Sequence, residues 1–381
     1  MLQFTLFFGL EQMKIVSLIT DLDPAGAERV LTELVCNLIA RGHSCDVVSL
    51  MAPPKDDSLV DALQTAGARV AFLNATKLDF FVLPFLVRYA LQKFEPEIVH
   101  SHMMHANLLS RLALAGTGVP LVNTIHIADR RRTQGFYFML DRITVRHANV
   151  LTGVSKAAVR FHSAACRIPR KKFRVVYNGC DYVEPASPEE CREFRKWCMM
   201  EDCTKVIGSV GRLDRQKGYD LLFDRAKAIS ARVPEGEKWG VIIIGDGPER
   251  DELERRARAI EDPKLVFALP GYRSDARNLM AAFDAMVMPS RYEGYGLTLV
   301  EAMSLGLPVV TSTVDSLPEI CEQYRGGFAQ CVNFNDDPDG IRLAKALSEA
   351  VCAGRSEPCT ICSVASMVDQ YESIYNELTG N

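Results

Sequence analysis

Apolar residues fall into short runs separated by longer stretches of helical period, which predicts alternating strands and helices. The run at 14–20, with four apolar residues of seven, reads as a buried-type strand. Further strands are predicted at 45–50, 70–73, 97–102, 121–126 and 150–155, with Ser155 as cap of the helix that follows. Helical spacing predicts helices over 29–41, 79–94 and 103–115, the first ended by Gly42 and His43. Strand, glycine-bearing loop, helix and strand is the opening of a doubly wound parallel sheet. The stretch 184–188, Glu-Pro-Ala-Ser-Pro, reads as a linker, after which the pattern restarts. Strands are predicted at 206–212 and 283–288, a strand with its turn at 240–247, and helices from 221 and over 297–305. Gly306 caps the last of these, Pro308 opens another strand, and a closing helix is predicted over 366–378. In the helix over 79–94, Phe80, Phe81, Leu83, Phe85, Leu86 and Tyr89 are expected to pack on the sheet, insertion into lipid being the alternative.

A chain of 381 residues has room for two domains with separate cores. Its 48% apolar and 24% charged residues place it among soluble globular proteins. The net charge of −4 says little about partners, but residues 129–174 hold twelve Lys or Arg against two Asp. That local excess points to an anionic partner: membrane phospholipid, a diphosphate-linked acceptor or nucleic acid, with solvated helix faces as the plainer reading. Arginines at 130–132 beside the aromatics of 135–139 resemble an interfacial surface, and no nucleic-acid recognition motif accompanies them. The twelve cysteines are scattered, with Cys359 and Cys362 forming a lone C-x-x-C, as expected of free thiols in a reducing cytoplasm. Residues 1–10 are apolar but lack a basic start and a cleavage site, so they read as an extension and not a signal peptide. No apolar run reaches the roughly eighteen residues of a membrane span. The protein is expected to lie on a membrane at most.

The most informative stretch is S-R-Y-E-G-Y-G-L-T-L-V-E-A-M-S-L-G-L-P-V-V, residues 290–310. Gly294 and Gly296 allow a sharp turn and close approach of a ligand. The amides of Tyr295, Gly296 and Leu297 then lie at a helix N-terminus, where anions and sugar oxygens are attracted. Glu293 and Glu301 are two carboxylates on one strand–loop–helix unit, able to accept from pairs of hydroxyls. A helix cap and a solvated glutamate are the alternative. Arg212 and Lys217 flank a loop at the carboxyl end of the strand at 206–212, where such sheets bind ligands, and two cations there suit a diphosphate. His100, His102 and His105 look like metal ligands, but strand alternation separates faces. Asp21-Leu22-Asp23 formally matches a D-x-D metal motif.

The 290–310 stretch closely resembles the donor-binding motif of retaining glycosyltransferases of family 4, and G-R-L-D-R-Q-K-G at 211–218 resembles the family's second signature. V-V-Y-N-G-C-D at 175–181 and A-G-A-E-R at 25–29 are similar to two more of its motifs, the latter with Ala25 in place of a glycine. The resemblance spans nearly the whole chain. It implies the GT-B fold: two Rossmann-like α/β domains facing a cleft, with the C-terminal helix crossing back onto the first. The expected boundaries are an extension at 1–12, an acceptor domain at 13–183, a nucleotide-sugar domain at 184–365 and the terminal helix at 366–381, docked through Tyr371 and Tyr375. It further implies retaining, metal-independent transfer from a nucleotide-diphosphate sugar, UDP being preferred, with no cofactor. The acceptor would be a glycan or lipid-linked saccharide in surface-polysaccharide synthesis. Alternatives are a GDP-mannose-dependent enzyme and a catalytically silent binding subunit. In this scheme Arg212 and Lys217 neutralise the diphosphate, Tyr272 lies beside the base and Glu301 holds the ribose. Glu293 with the 294–297 backbone fixes the sugar, and His126 contacts it from the first domain. Gly26 and His102 are placed on the acceptor side. No residue is expected to bind metal or nucleic acid. The location implied is the cytoplasm, at the cytoplasmic membrane face if the basic region docks there.

Overall fold

The computed structural model describes residues 12–76, 79, 82–126 and 135–380; residues 1–11, Phe80, Phe81 and the arginines at 130–132 lie outside the described residues. The chain divides into two units, Met1–Gly179 with Val364–Asn381, and Cys180–Ser363.

Unit 1 runs β1 (Lys14–Ile19), α1 (Gly26–Ala40), β2 (Ser44–Ser49), α2 (Ser58–Ala66), β3 (Val70–Phe72), α3 (Leu83–Phe94), β4 (Ile98–His102), α4 (Met104–Leu114), β5 (Leu121–Ile125), α5 (Gly135–Thr144), β6 (Val150–Gly153), α6 (Lys156–Cys166) and β7 (Phe173–Val175). These strands form a parallel sheet in the order β3-β2-β1-β4-β5-β6-β7. β1 is central, Ile15 standing opposite Cys45 on one side and Ile98 on the other. β4 and β5 are buried at every position, as helices on both faces demand. Ser155 caps α6 by accepting from the Ala158 amide at 2.9 Å.

The helix expected over 79–94 begins at Leu83, and it turns a different side to the sheet. Leu83, Val87, Ala90 and Leu91 are its buried residues. Phe85 is 73% exposed and Tyr89 60%. Only Leu83 of the described side chains expected to pack inward does so. The 83/87/90/91 set shares one helical face, and 85, 86 and 89 fall on the opposite one.

Unit 2 contains α7 (Pro188–Trp197), β8 (Lys205–Val210), α8 (Asp220–Asp224), α9 (Ala226–Ser230), β9 (Trp239–Ile244), α10 (Arg250–Arg258), β10 (Leu265–Gly271), α11 (Ala276–Leu279), β11 (Ala285–Met288), α12 (Leu297–Ser304), β12 (Val309–Ser312), α13 (Leu317–Cys321), β13 (Ala329–Val332) and α14 (Ile341–Ala353). Its parallel sheet has the order β10-β9-β8-β11-β12-β13. A capping box of Ser187 and Glu190 starts α7, with Pro188 as its first residue.

The chain then returns to unit 1 as α15 (Val364–Thr379). Tyr371 and Tyr375 are fully buried there. The Tyr375 hydroxyl lies 2.7 Å from His100 Nδ1, and Tyr371 lies 3.2 Å from the Thr124 hydroxyl. Glu372 accepts from Arg41 and meets His43 at 2.8 Å. The helix is thus keyed to β4 and β5 by hydrogen bonds as well as by apolar burial.

Candidate functional site

In an open parallel sheet, loops diverge where strand order reverses, and a crevice opens there. In unit 2 that reversal lies between β8 and β11. The loop after β8 carries Arg212 and Lys217, and the loop after β11 carries Glu293 to Gly296. Topology therefore brings together two segments about seventy-six residues apart.

The two loops are stitched along their length. Arg291 makes a two-pronged pair with Asp220, at 2.7 and 2.6 Å, and its amide donates to Gln216 O at 2.7 Å. Gln216 donates back to Tyr292 O at 3.1 Å. Gly218 has φ +69°, and a Cβ there would meet Pro289 O at 2.3 Å, so the approach requires glycine. Lys217 Nζ then lies 2.5 Å from Glu293 Oε1, which also accepts from the Ser290 hydroxyl at 2.9 Å. The Glu293 amide donates to Asp315 at 3.0 Å. Burial opposes charge on Lys217, but Glu293, with Tyr219 and Asp214 in support, outweighs it and holds the ammonium above the usual lysine range. The result is a fixed cation that spends one of its N–H groups on a buried carboxylate.

The remaining expected groups of unit 2 are dispersed around this pair. Gly296 is the N-cap of α12 with φ +83°, and Leu297 is the first helical residue. The first-turn amides therefore point out of a helix start beside Glu293. Tyr295 is buried, whereas Tyr272 is largely exposed just past the end of β10. Arg212 is also exposed, its Nε 3.8 Å from Asp214. Glu301 is buried and its Oε1 lies 2.9 Å from Arg277 Nε. Arg277, Ser290, Asp315 and the Arg291–Asp220 pair carry no local sequence signal for a role. Only the fold shows that they hold the expected residues in place.

In unit 1 the reversal lies between β1 and β4. Gly26 opens α1 after β1 and is exposed. His102 is the last residue of β4. It is fully buried, its Nδ1 meets His126 Nε2 at 2.9 Å, and its ring lies 4.0 Å from that of His100. Helices over both faces of the sheet enclose it, and its ring braces that of His126. His126, at the end of β5, is half-buried. Burial depresses all three rings, His100 to about 3 and His126 to about 4, with His102 well below its ordinary value. His100 is engaged at both nitrogens, by Tyr375 and by the Thr124 hydroxyl at 2.6 Å.

Glu28, in the first turn of α1, was not among the expected site residues. Burial pushes it up to about 7, with Asp21 and Asp23 adding to the shift. The folded chain thus retains a proton that the unfolded chain loses near 4.5, and stability falls as pH rises from there through 7. Glu28→Gln is expected to stabilise the protein at pH 8 by about 1–3 kcal/mol, while changing little at pH 5. An unaltered urea midpoint at pH 8 would count against a protonated Glu28.

One group of described residues has metal-ligand geometry: Asp141, His162 and Cys166, all buried. Its electrostatics are already satisfied. Arg111 and His162 both bind Asp141, holding the carboxylate at about 2 against burial, and burial pushes the Cys166 thiol up. The twelve cysteines are thiols outside any disulfide, Cys359 and Cys362 included.

Two family models match the chain: Glycosyltransferase Family 4 over residues 24–183, and Glycosyl transferases group 1 over residues 204–351. The O-antigen biosynthesis glycosyltransferase WclY of Escherichia coli is 29% identical over 55% of this chain. The match covers 57% of WclY, so the chain spans little more than half of that relative's length. The UDP-Gal:alpha-D-GlcNAc-diphosphoundecaprenol alpha-1,3-galactosyltransferase of Escherichia coli is 24% identical over 76% of this chain and 78% of its own. Among solved structures, Anabaena Alr3699/HepE in complex with UDP and glucose is similar with a TM-score of 0.74 at 21% identity, over 96% of this chain and 95% of that one. That likeness carries the two-unit GT-B fold. With both units matched by models of this group, the chain belongs to the group 1 glycosyltransferases of the family 4 type.

Proposed function

We propose that this chain transfers a hexosyl group, with retention, from a UDP-sugar to a glycan or lipid-linked saccharide, without a metal ion. The observation that carries this reading is the Lys217–Glu293 pair, a fixed cation against a buried acid at the strand-order reversal of unit 2. A diphosphate leaving group gathers negative charge as the sugar C1–O bond breaks, and a preset ammonium stabilises that charge without reorganising. Two N–H groups of Lys217 remain for phosphate oxygens, and exposed Arg212 swings over the same group as a forked donor. Glu293 Oε1 is committed to Lys217 and Ser290, and its second oxygen accepts from sugar hydroxyls. Glu301, braced by Arg277, takes the ribose, Tyr272 the base, and the 294–297 backbone the sugar. His126 contacts the sugar, and Gly26 lies on the acceptor side. The acceptor hydroxyl attacks C1 on the face the diphosphate leaves. The bonding pair passes to the phosphate oxygen, and that oxygen takes the acceptor's proton. The UDP and glucose bound to Alr3699/HepE and the diphosphoundecaprenol acceptor in the galactosyltransferase's name support this choice of donor and acceptor class. The same proposal places the reaction in the cytoplasm, in surface-polysaccharide synthesis.

The test is a thermal-shift panel of UDP, GDP, ADP and their sugars, followed by mass spectrometry of nucleotide release with lipid-linked and free saccharides. Stabilisation and turnover are expected with UDP-sugars. Turnover with GDP-mannose alone overturns the choice of base, and absence of any nucleotide effect overturns the reading as a whole.

A further inference from the structure

We infer that buried His102 is a positioning residue: it fixes the tautomer of His126, so that His126 offers the transferred sugar an Nδ1–H donor and not a bare nitrogen. This rests on the reading of His126 as a contact to the sugar. A neutral imidazole carries one proton, and the bond made by one nitrogen decides whether that proton sits on the other. His126 Nε2 meets His102 Nδ1 at 2.9 Å, with the ring centroids 5.2 Å apart. Burial depresses both rings, so near neutral pH each has a single proton to place. Two arrangements satisfy the contact: His126 donates through Nε2–H, or His102 donates through Nδ1–H.

The far nitrogen of His102 decides between them. His102 is fully buried, and its Nε2 has no hydrogen-bond partner among the described residues. The neighbouring His100 ring cannot serve, since Tyr375 and Thr124 engage both of its nitrogens. Were His126 the donor, the one proton of His102 would sit on that enclosed Nε2 as an orphaned N–H, the rarest kind of buried polar group. With the proton on Nδ1, His102 donates to His126 and leaves only a lone pair without a partner. His126 must then carry its own proton on Nδ1. The backbone holds His102 to this geometry. Met103, the next residue, has φ +74° and ψ 159°, a region almost confined to glycine and found where structure around a site over-determines it. The Met103 amide is tied to Thr124 O at 3.2 Å, and His102 stands opposite Thr124 in the sheet. Thr124 and His126 share a strand face, so the strained turn ends β4 with the His102 ring beside His126. An N–H at this place asks the sugar for a lone pair, which a hydroxyl oxygen supplies while keeping its own proton for another partner.

Long-range proton–nitrogen-15 correlation spectra of the full chain, labelled at its seven histidines, read the tautomer of each ring. His126→Gln assigns the His126 signals. At pH 7.5 wild-type His126 is expected in the Nδ1–H form, and an Nε2–H form overturns the inference. His102→Leu removes the bond and is expected to release His126 into a mixture of tautomers. His102→Asn places an amide N–H where Nδ1–H stood and is expected to keep the Nδ1–H form. In transfer assays with UDP-glucose and UDP-galactose, His102→Leu is expected to lower kcat/KM by at least about tenfold, and His102→Asn to restore it to within about threefold of wild type. The thermal shift given by UDP alone is expected to stay at the wild-type value in both variants, because the contact is to the sugar. Equal loss of transfer in both variants, or loss of the UDP shift along with transfer, assigns His102 to packing and overturns the inference. The spectra use no nucleotide. Nδ1–H on His126 with no turnover of any nucleotide sugar would therefore overturn the transfer reading while upholding the hold of His102 on His126, and turnover with Nε2–H would do the reverse.

Discussion

Replacing Lys217 with Ala lowers sugar transfer by at least about a hundredfold, an expected loss of about 3 kcal/mol of transition-state stabilisation. The physical reason is the placement of its ammonium against Glu293, with Ser290 bracing the same oxygen. Removing the cation also strands a buried carboxylate, which costs about 3–5 kcal/mol of stability. The two losses must therefore be separated. Glu293→Gln/Lys217→Met removes both charges at similar volume and is expected to recover much of the stability. Transfer stays lost, because nothing then meets the charge growing on the diphosphate. Initial rates of nucleoside diphosphate release and urea midpoints measure the two effects independently. Wild-type turnover by the double variant would remove these residues from the mechanism.

Acidification from pH 7.5 to pH 5 is expected to destabilise unit 1 by several kcal/mol. In the folded chain His100 titrates at about 3 and in the unfolded chain near 6.5, so between those values the unfolded state binds more protons. Stability therefore rises with pH through that window and is lost on descending it. At pH 5 His100 alone accounts for about 2 kcal/mol, and His102 and His126 act in the same direction. Glu28 opposes them between 4.5 and 7, so Glu28→Gln makes the acid loss steeper and easier to read. Both tryptophans, Trp197 and Trp239, lie in unit 2. Circular dichroism sums both units and tryptophan emission follows unit 2, so the unit 1 transition is the part of the dichroism change that emission lacks. A urea midpoint by dichroism that stays flat from pH 7.5 to 5 would show that these rings are already charged when folded.

The doubly wound pattern was legible because short apolar-rich runs such as 14–20 alternate with stretches of helical period and glycine-bearing turns. The Lys217 and Glu293 loops were legible because each motif is local, with its glycines, cations and acids within a few residues. Their mutual contact was not, since it depends on strand order. For the same reason nothing near Arg277 foretells its pairing with Glu301, twenty-four residues on. The burial of His102 also escaped notice, because strand alternation does not say which face the helices seal. Sequence period did place Phe85 and Tyr89 on one side of α3. Which side met the sheet depended on Leu83, Val87, Ala90 and Leu91 forming the more continuous apolar stripe. Glu28 gave no sign of its proton, which arises from enclosure beside two other acids.

Because α15 belongs to unit 1 although unit 2 is encoded in between, one part of unit 1 is synthesised before unit 2 and the other after it. Through all of that interval the nascent first segment lacks the Tyr375 cover on His100 and the Glu372 partner of Arg41 and His43. Unit 2, emerging whole from a continuous stretch, has no such wait. The residues of α15 must leave the ribosome before the buried histidine file can be sealed, so its closure waits until all of unit 2 has been made.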